Sequence, residues 1–219
     1  MNPEQFKVLD PKESYTFSKY FDLPFSIQDI VADLGYQFDR SPLHLPIEPG
    51  IHARLENLTT YLIRNLKWVR PVAEITRREI FIFPILAELC DYLEVMLNDE
   101  YSLSVNQWLK GNLDYYIETA NHHRRMLVIE AKQSDLTRGF TQLAAELAAL
   151  DLRSSTHGEM IYGAVTTGDL WRFGQLDRRA KVIPEDTTVY RVPDELAQIL
   201  EILAGVLKET DALPPALNR

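Results

Sequence analysis

The sequence has one cysteine, no long apolar run and a shortage of positive charge. Cys90 alone cannot form an intramolecular disulfide, which fits a reducing compartment. No apolar stretch nears the about 20 residues that a bilayer-spanning helix needs, and no basic segment followed by an apolar one opens the chain. The expectation is a cytoplasmic protein with no membrane partner. Lysine and arginine number 23 against 32 acidic residues, a net charge of −9. That excludes a surface that coats nucleic acid through bulk positive charge, and leaves a local basic groove open. Internal repeats and low-complexity segments are missing as well.

What is present is enough for a core. At 219 residues with 46% hydrophobic side chains, the chain suits one large domain or a domain with an appendage. Residues 1–50 carry Pro3, Pro11, Pro24, Pro42, Pro46 and Pro49 and read as an accessory N-terminal arm. One short helix stands out there, with Ser26 as N-cap, Ile27, Ile30, Val31 and Leu34 at helical spacing, and Gly35 as its stop. Tyr36 to Pro46 reads as extended chain that pairs away from the main body.

Residues 51–210 read as the main domain and 211–219 as a frayed tail. A helix is expected from Ile51 to Leu66. A second runs from Val72 to Met96, with Ile75, Ile82, Ile85, Leu86, Leu89, Leu93 and Met96 on one apolar face. Pro84 kinks or divides it, and Asn98-Asp99 forms the turn that ends it. A strand follows over Ser102 to Leu109, with Lys110-Gly111 as a turn, then strands Leu113 to Thr119 and Met126 to Lys132 around a polar turn. Ser134-Asp135 starts an alanine-rich helix over Leu136 to Leu152. Met160 to Val165 and a run from Leu170 form a hairpin through Thr166-Thr167-Gly168-Asp169. Thr187 to Val192 is a last strand, and Asp194 to Glu209 a last helix. The fold class is α/β (α+β): a mixed sheet in which an antiparallel hairpin leads into a parallel crossover, flanked by helices.

The chemistry gathers in Asn112 to Gln142. If the hairpin turn centres on His122, Asp114 and Glu130 lie opposite each other, and cross-strand opposites point to the same face. Glu130 and Lys132 share that face because side chains alternate with period two. Opposed carboxylates repel, and a divalent cation reverses that term. Mg²⁺ favours hard oxygen ligands, commonly one or two carboxylates with waters and substrate phosphates. A lysine beside it can orient or deprotonate water and offset charge growing on a phosphate. The set is suited to metal-assisted phosphodiester hydrolysis.

Asp114 in Asn112-Leu113-Asp114-Tyr115, Glu130-Ala131-Lys132 ending an apolar strand, and Gln142 on the next helix resemble the PD-(D/E)xK, or restriction-endonuclease-like, nuclease superfamily. From Glu74 through Trp171, about half of the chain, the pattern looks closest to the N-terminal nuclease domain of type I restriction enzyme motor subunits. Asp114 lacks the preceding proline of the motif. The resemblance implies a Mg²⁺- or Mn²⁺-dependent nuclease acting on DNA, with Asp114 and Glu130 as metal ligands, Lys132 activating water and Gln142 orienting water or lysine. A helical acid completes the metal shell, Glu74 by position, with Glu79 and Glu88 as competitors. It also implies a possible homodimer, since many such nucleases cut both strands as dimers.

More ordinary readings stand beside these. Glu130-Ala131-Lys132 alone would be a solvated strand end, although the apolar Met126-Leu127-Val128-Ile129 before it places charge at the end of a buried strand, where charge needs a reason. His122 and His123 read as a polar turn, and together with Arg124 and Arg125 as candidates for touching a phosphate backbone. Arg138 is a further candidate for contact with substrate, and Arg77, Arg78 and Arg172 for a phosphate-lined groove; each also suits a surface salt bridge. Trp171 and the alanines of the long helix read as core. A catalytically inactive nuclease-fold protein, serving as an interaction module through residues 1–50, is the alternative function.

Overall fold

The computed structural model describes residues 6–51, 55–70, 73–119, 126–132, 135–153 and 158–208. Helices α1 (Phe17–Asp22) and α2 (Ile27–Asp33) lead into strand β1 (Gln37–Ser41). Helices α3 (Leu55–Trp68), α4 (Glu74–Arg77) and α5 (Phe83–Leu93) follow, then strands β2 (Leu97–Ser104), β3 (Lys110–Glu118) and β4 (Met126–Ala131). The long α6 (Leu136–Arg153) crosses to β5 (Met160–Thr166), followed by β6 (Leu170–Asp177), β7 (Val182–Asp186), β8 (Tyr190–Arg191) and α7 (Leu196–Lys208). One eight-stranded sheet results, in the order β1-β7-β6-β5-β4-β3-β2, with β8 also paired to β6. Strands β4 and β5 run parallel, as do β1 and β7, and the other pairs are antiparallel. The mixed α/β class and the hairpin leading into a parallel crossover are as the pattern predicts. Among the described residues no helix is long and apolar enough to cross a membrane.

Two cores sandwich the sheet. On one side Leu127, Ile129, Ala164 and Trp171 meet α3, α5 and α7. On the other, Tyr116, Ile161 and Val165 meet α1, α2 and α6. Helix α6 can lie close because Ala144, Ala145, Ala148 and Ala149 are all fully buried and carry almost no side-chain bulk. Asp135 caps it, its Oδ1 accepting from the backbone N–H groups of Thr137 and Arg138 at 3.0 Å each.

Several expectations are corrected. The chain after Tyr36 does not pair away from the main body: β1 adds to the exposed edge of β7 and satisfies its backbone groups. Tyr36 anchors it by donating to buried Asp151 Oδ2 at 2.6 Å, and Asp151 also pairs with Arg178 and Lys181. The second long helix is interrupted by a π turn over Arg78–Ile82, where Phe83 N–H donates to Arg78 O, five residues back. Pro84 has no N–H to offer the preceding turn, and the widened turn accommodates its ring. The extra residue puts Ile75 out of phase with Ile82, Ile85 and Leu86, so it is 56% exposed instead of core. Helix α5 ends early, with Glu94 in the left-handed region (φ 55°). Met96 therefore falls outside it, and Asn98 and Asp99 belong to β2, paired with Tyr116 and Tyr115. The next turn lies before Lys110 instead of at Lys110-Gly111, because Asn106 Oδ1 accepts from Trp108 N–H and Leu109 N–H at 2.8 and 3.0 Å. Strand β7 escapes the sequence pattern because Pro184, Glu185 and Asp186 mask it, and the strand expected over Thr187 to Val192 shrinks to β8.

Gly139 is the tightest point between α6 and the sheet. A Cβ there would stand 2.6 Å from Val165 Cγ1 and 3.0 Å from Lys132 Cγ. Gly139→Ala gains about 1 kcal/mol of helix propensity and loses about 1–3 kcal/mol to overpacking. The expected outcome is a net loss of stability in urea unfolding, with Lys132 displaced. A variant as stable as the wild type would show that α6 can lift away freely.

Candidate active site

The β3–β4 register pairs Tyr115 with Ile129 and Tyr116 with Val128. That register has the predicted symmetry about position 122; its pairs end one step short of Asp114 and Glu130, and the Asp114 charge acts on the Glu130 carboxyl. Lys132 N–H donates to Thr166 O at 2.8 Å, which carries the β4–β5 pairing one step further and fixes the backbone under the lysine. Helix α6 covers this end of the sheet, with Gln142 and Glu146 one turn apart on its buried face.

The result is a charge cluster almost out of water. Glu130 is 1% exposed and Glu146 0%. The Lys132 ammonium contacts Glu130 Oε1 and lies 5.3 Å from the centre of the Phe21 ring of α1. Gln142 Nε2 donates to Glu146 Oε1 at 2.9 Å, which turns the amide oxygen the other way. Glu130 Oε2, Glu146 Oε2 and Gln142 Oε1 are buried and receive no donor. Burial raises both carboxyls, Glu130 well above its ordinary range and Glu146 up to about 7, with the Asp114 charge adding to each and Lys132 opposing. Two adjacent carboxyls shielded from water repel when both are ionised, which favours one proton between them, and the ammonium opposes the remaining charge. Burial acts to depress Lys132, but the Glu130 carboxylate outweighs it and the net shift is upward. Lys132 is therefore charged in this arrangement.

A second layer surrounds the cluster. Arg78, delivered by the π turn, contacts Glu100, lies 3.5 Å from Asp114 Oδ1 and donates to Asp114 O at 3.4 Å. Its guanidinium also stands 4.9 Å from the Tyr115 ring centre. Glu74 joins electrostatically: burial raises its carboxyl, while Lys132 pulls it back and Asp114 pushes it further up. Glu79 and Glu88 lie elsewhere, lining a depression with Asn57, Tyr61 and Phe83. Arg77 and Arg172 take the salt-bridge role, with Asp169 and Glu185 respectively. Arg138 extends from the first turn of α6, with its side chain 60% exposed and Nε 3.7 Å from Asp135. His122, His123, Arg124 and Arg125 lie outside the described residues.

No protein-family model and no curated protein matches the chain.

Asp114, Glu130, Lys132, Gln142 and Glu74 converge from β3, β4, α6 and α4. Glu146 completes the group and was not singled out from the sequence. Its signal was available: a lone acid inside the apolar run Leu143-Ala144-Ala145-Glu146-Leu147-Ala148-Ala149, four residues after Gln142, has no reason to be there unless a polar partner meets it. Within this cluster the buried side-chain atoms without a hydrogen-bond partner, Glu130 Oε2, Glu146 Oε2 and Gln142 Oε1, are oxygens, the ligand type a hard dication takes. As arranged, however, no group of three or more His, Cys, Asp or Glu side chains among the described residues is set to hold a metal ion, and the Lys132 ammonium stands against Glu130 where a cation would compete with it.

The shared proton has a thermodynamic signature. The folded protein keeps a proton that the unfolded chain releases near the ordinary glutamate value, so stability falls as pH rises from about 4.5 towards 7, by up to about 1 kcal/mol per pH unit. Glu146→Gln leaves Glu130 to ionise against Lys132 and flattens that slope. Urea unfolding across this pH range measures it. Equal slopes in wild type and variant would exclude the shared proton.

Proposed function

We propose that the chain is a metal-dependent nuclease of the restriction-endonuclease-like kind, hydrolysing phosphodiester bonds in DNA. The observation that carries the reading is the meeting of Glu130 and Lys132 at the end of a central strand, with Asp114 opposite and Gln142 overhead, in a pocket nearly closed to water. The order of elements supports it: an α-helical segment, an antiparallel meander β2-β3-β4, a crossover helix and a strand parallel to β4.

Each residue then has a chemical task. Asp114, Glu130 and Glu74 are the carboxylates that would hold Mg²⁺ or Mn²⁺. When bound, that ion supplies Lewis-acid polarisation of the phosphoryl group and favours deprotonation of the attacking water. The Gln142 amide oxygen, left without a donor, would accept a hydrogen bond from an attacking water and orient it. Lys132 holds its proton in the present arrangement, so it offsets negative charge gathering on the phosphate. Released from Glu130, it can also position the nucleophile. Arg78 keeps Asp114 in place. Water exclusion strengthens each of these interactions.

The alternative is a non-catalytic interaction module, for which the exposed apolar side chains Trp68, Ile75 and Phe83, at 74%, 56% and 49%, are available contacts.

Lys132→Ala and Asp114→Asn, assayed with Mg²⁺ or Mn²⁺ on single- and double-stranded DNA, separate the two readings. The expected result is metal-dependent cleavage by the wild type and a loss of at least about 100-fold in each variant. An inactive wild type, or variants that cut as well as it does, would reject the nuclease.

A further inference from the structure

Beside the carboxylate cluster, and separated from it by a single side chain, lies a cleft of about 430 Å³, within the range of small-molecule sites. Phe21 is the shared wall, since it lines the cleft and stands 5.3 Å from Lys132 Nζ. The rest of the lining includes Phe25 and Phe38 of the N-terminal segment, Arg40 and Arg138, and the carboxylate of Glu185, which Arg172 and Arg40 neutralise. Phe25 is 43% exposed, although it belongs to no core. The two guanidiniums are about half exposed and only loosely paired. Arg40 is 3.6 Å from Glu185, whose stronger partner is Arg172 at 2.8 Å, and Arg138 is 3.7 Å from Asp135. On a chain of net charge −9, two loosely paired arginines lining one cleft with aromatic side chains form a local site for an anion that carries a flat ring.

We infer that this cleft receives one unpaired nucleotide of the substrate strand, adjoining the phosphate at Lys132, with its base against Phe25 and Phe38 and its phosphate on Arg40 and Arg138. The inference rests on the nuclease reading above and deepens it to a substrate class, single-stranded DNA. An aromatic platform bordered by cations is the recurrent means of holding single strands, since every base has a face to stack. Duplex bases are already stacked on one another and offer the cleft no such face. The acidic surface likewise disfavours binding that depends on many phosphate contacts.

The test is binding without cleavage: fluorescence anisotropy of a labelled short oligothymidylate, and of a duplex containing it, with the full chain in EDTA. The expected result is tighter binding of the single strand, weakened about tenfold or more by Phe25→Ala and by Arg138→Ala, and retained by Phe25→Trp. Both positions are exposed, and circular dichroism checks that the variants fold. Duplex bound as tightly as single strand, variants that bind the single strand as well as wild type, or no binding of either DNA would overturn the inference. The cleavage assay with Lys132→Ala distinguishes the two levels. Cleavage that depends on Lys132, with binding indifferent to Phe25 and Arg138, removes the cleft alone. Binding that depends on Phe25, with no cleavage, removes the nuclease and leaves a single-strand binding site.

Discussion

Strand β4 runs through the middle of the sheet with helices on both faces, and it ends in a carboxyl group that water barely reaches. An isolated buried carboxylate is too costly to persist. Three features near Glu130 answer that cost: the Lys132 ammonium two residues on, the upward shift that burial and the Glu146 charge impose on its carboxyl, and the Gln142 amide that ties Glu146 down. These partners come from two elements that must stay in tight register. Gly139 sets the distance at which α6 rides over Val165 and the lysine stem. Buried ionic groups of this kind add little net stability compared with apolar residues of the same shape, and such clusters are where function tends to reside.

The N-terminal segment has a larger part in this than its irregular, proline-rich sequence implies. It supplies β1 at the sheet edge and the aromatic residues Phe17 and Tyr20 to one core. Through Phe21 it also closes the side of the pocket beside Lys132. The N-terminal segment thus contributes to the site at Lys132, and the π turn contributes through Arg78 at Asp114. A chain this acidic gathers its usable positive charge locally. Arg78 and Lys132 are absorbed by the cluster, while Arg40 and Arg138 are only loosely paired at its border.

Much of the local structure was legible beforehand because it rests on short-range rules. The hairpin symmetry about position 122, the cap at Asp135, the buried run of β5 and the amphipathic α7 all follow from alternation, capping and periodicity. The errors fall where a local rule met a distant partner. Ile75 lost its place in the core because a π turn shifted the helix phase. Asn98 and Asp99 look like a turn until β3 pairs with them. Strand β7 hides behind Pro184 and two acids whose polarity is answered by Arg172, Arg40 and backbone N–H groups elsewhere in the chain.

The candidate site divides the same way. The sequence alone determined the candidate hairpin register about position 122, and with it the expectation that Asp114, Glu130 and Lys132 gather at one end of a strand pair, since side chains alternate with period two. Only the tertiary structure decided that Glu146 would be pressed against Glu130, that Glu74 and not Glu79 or Glu88 would lie in range, and that Phe21 would wall the lysine. Those three depend on how closely α6, α4 and α1 approach the sheet. That distance is fixed by side-chain volume at contacts far apart in the chain, which no local pattern records.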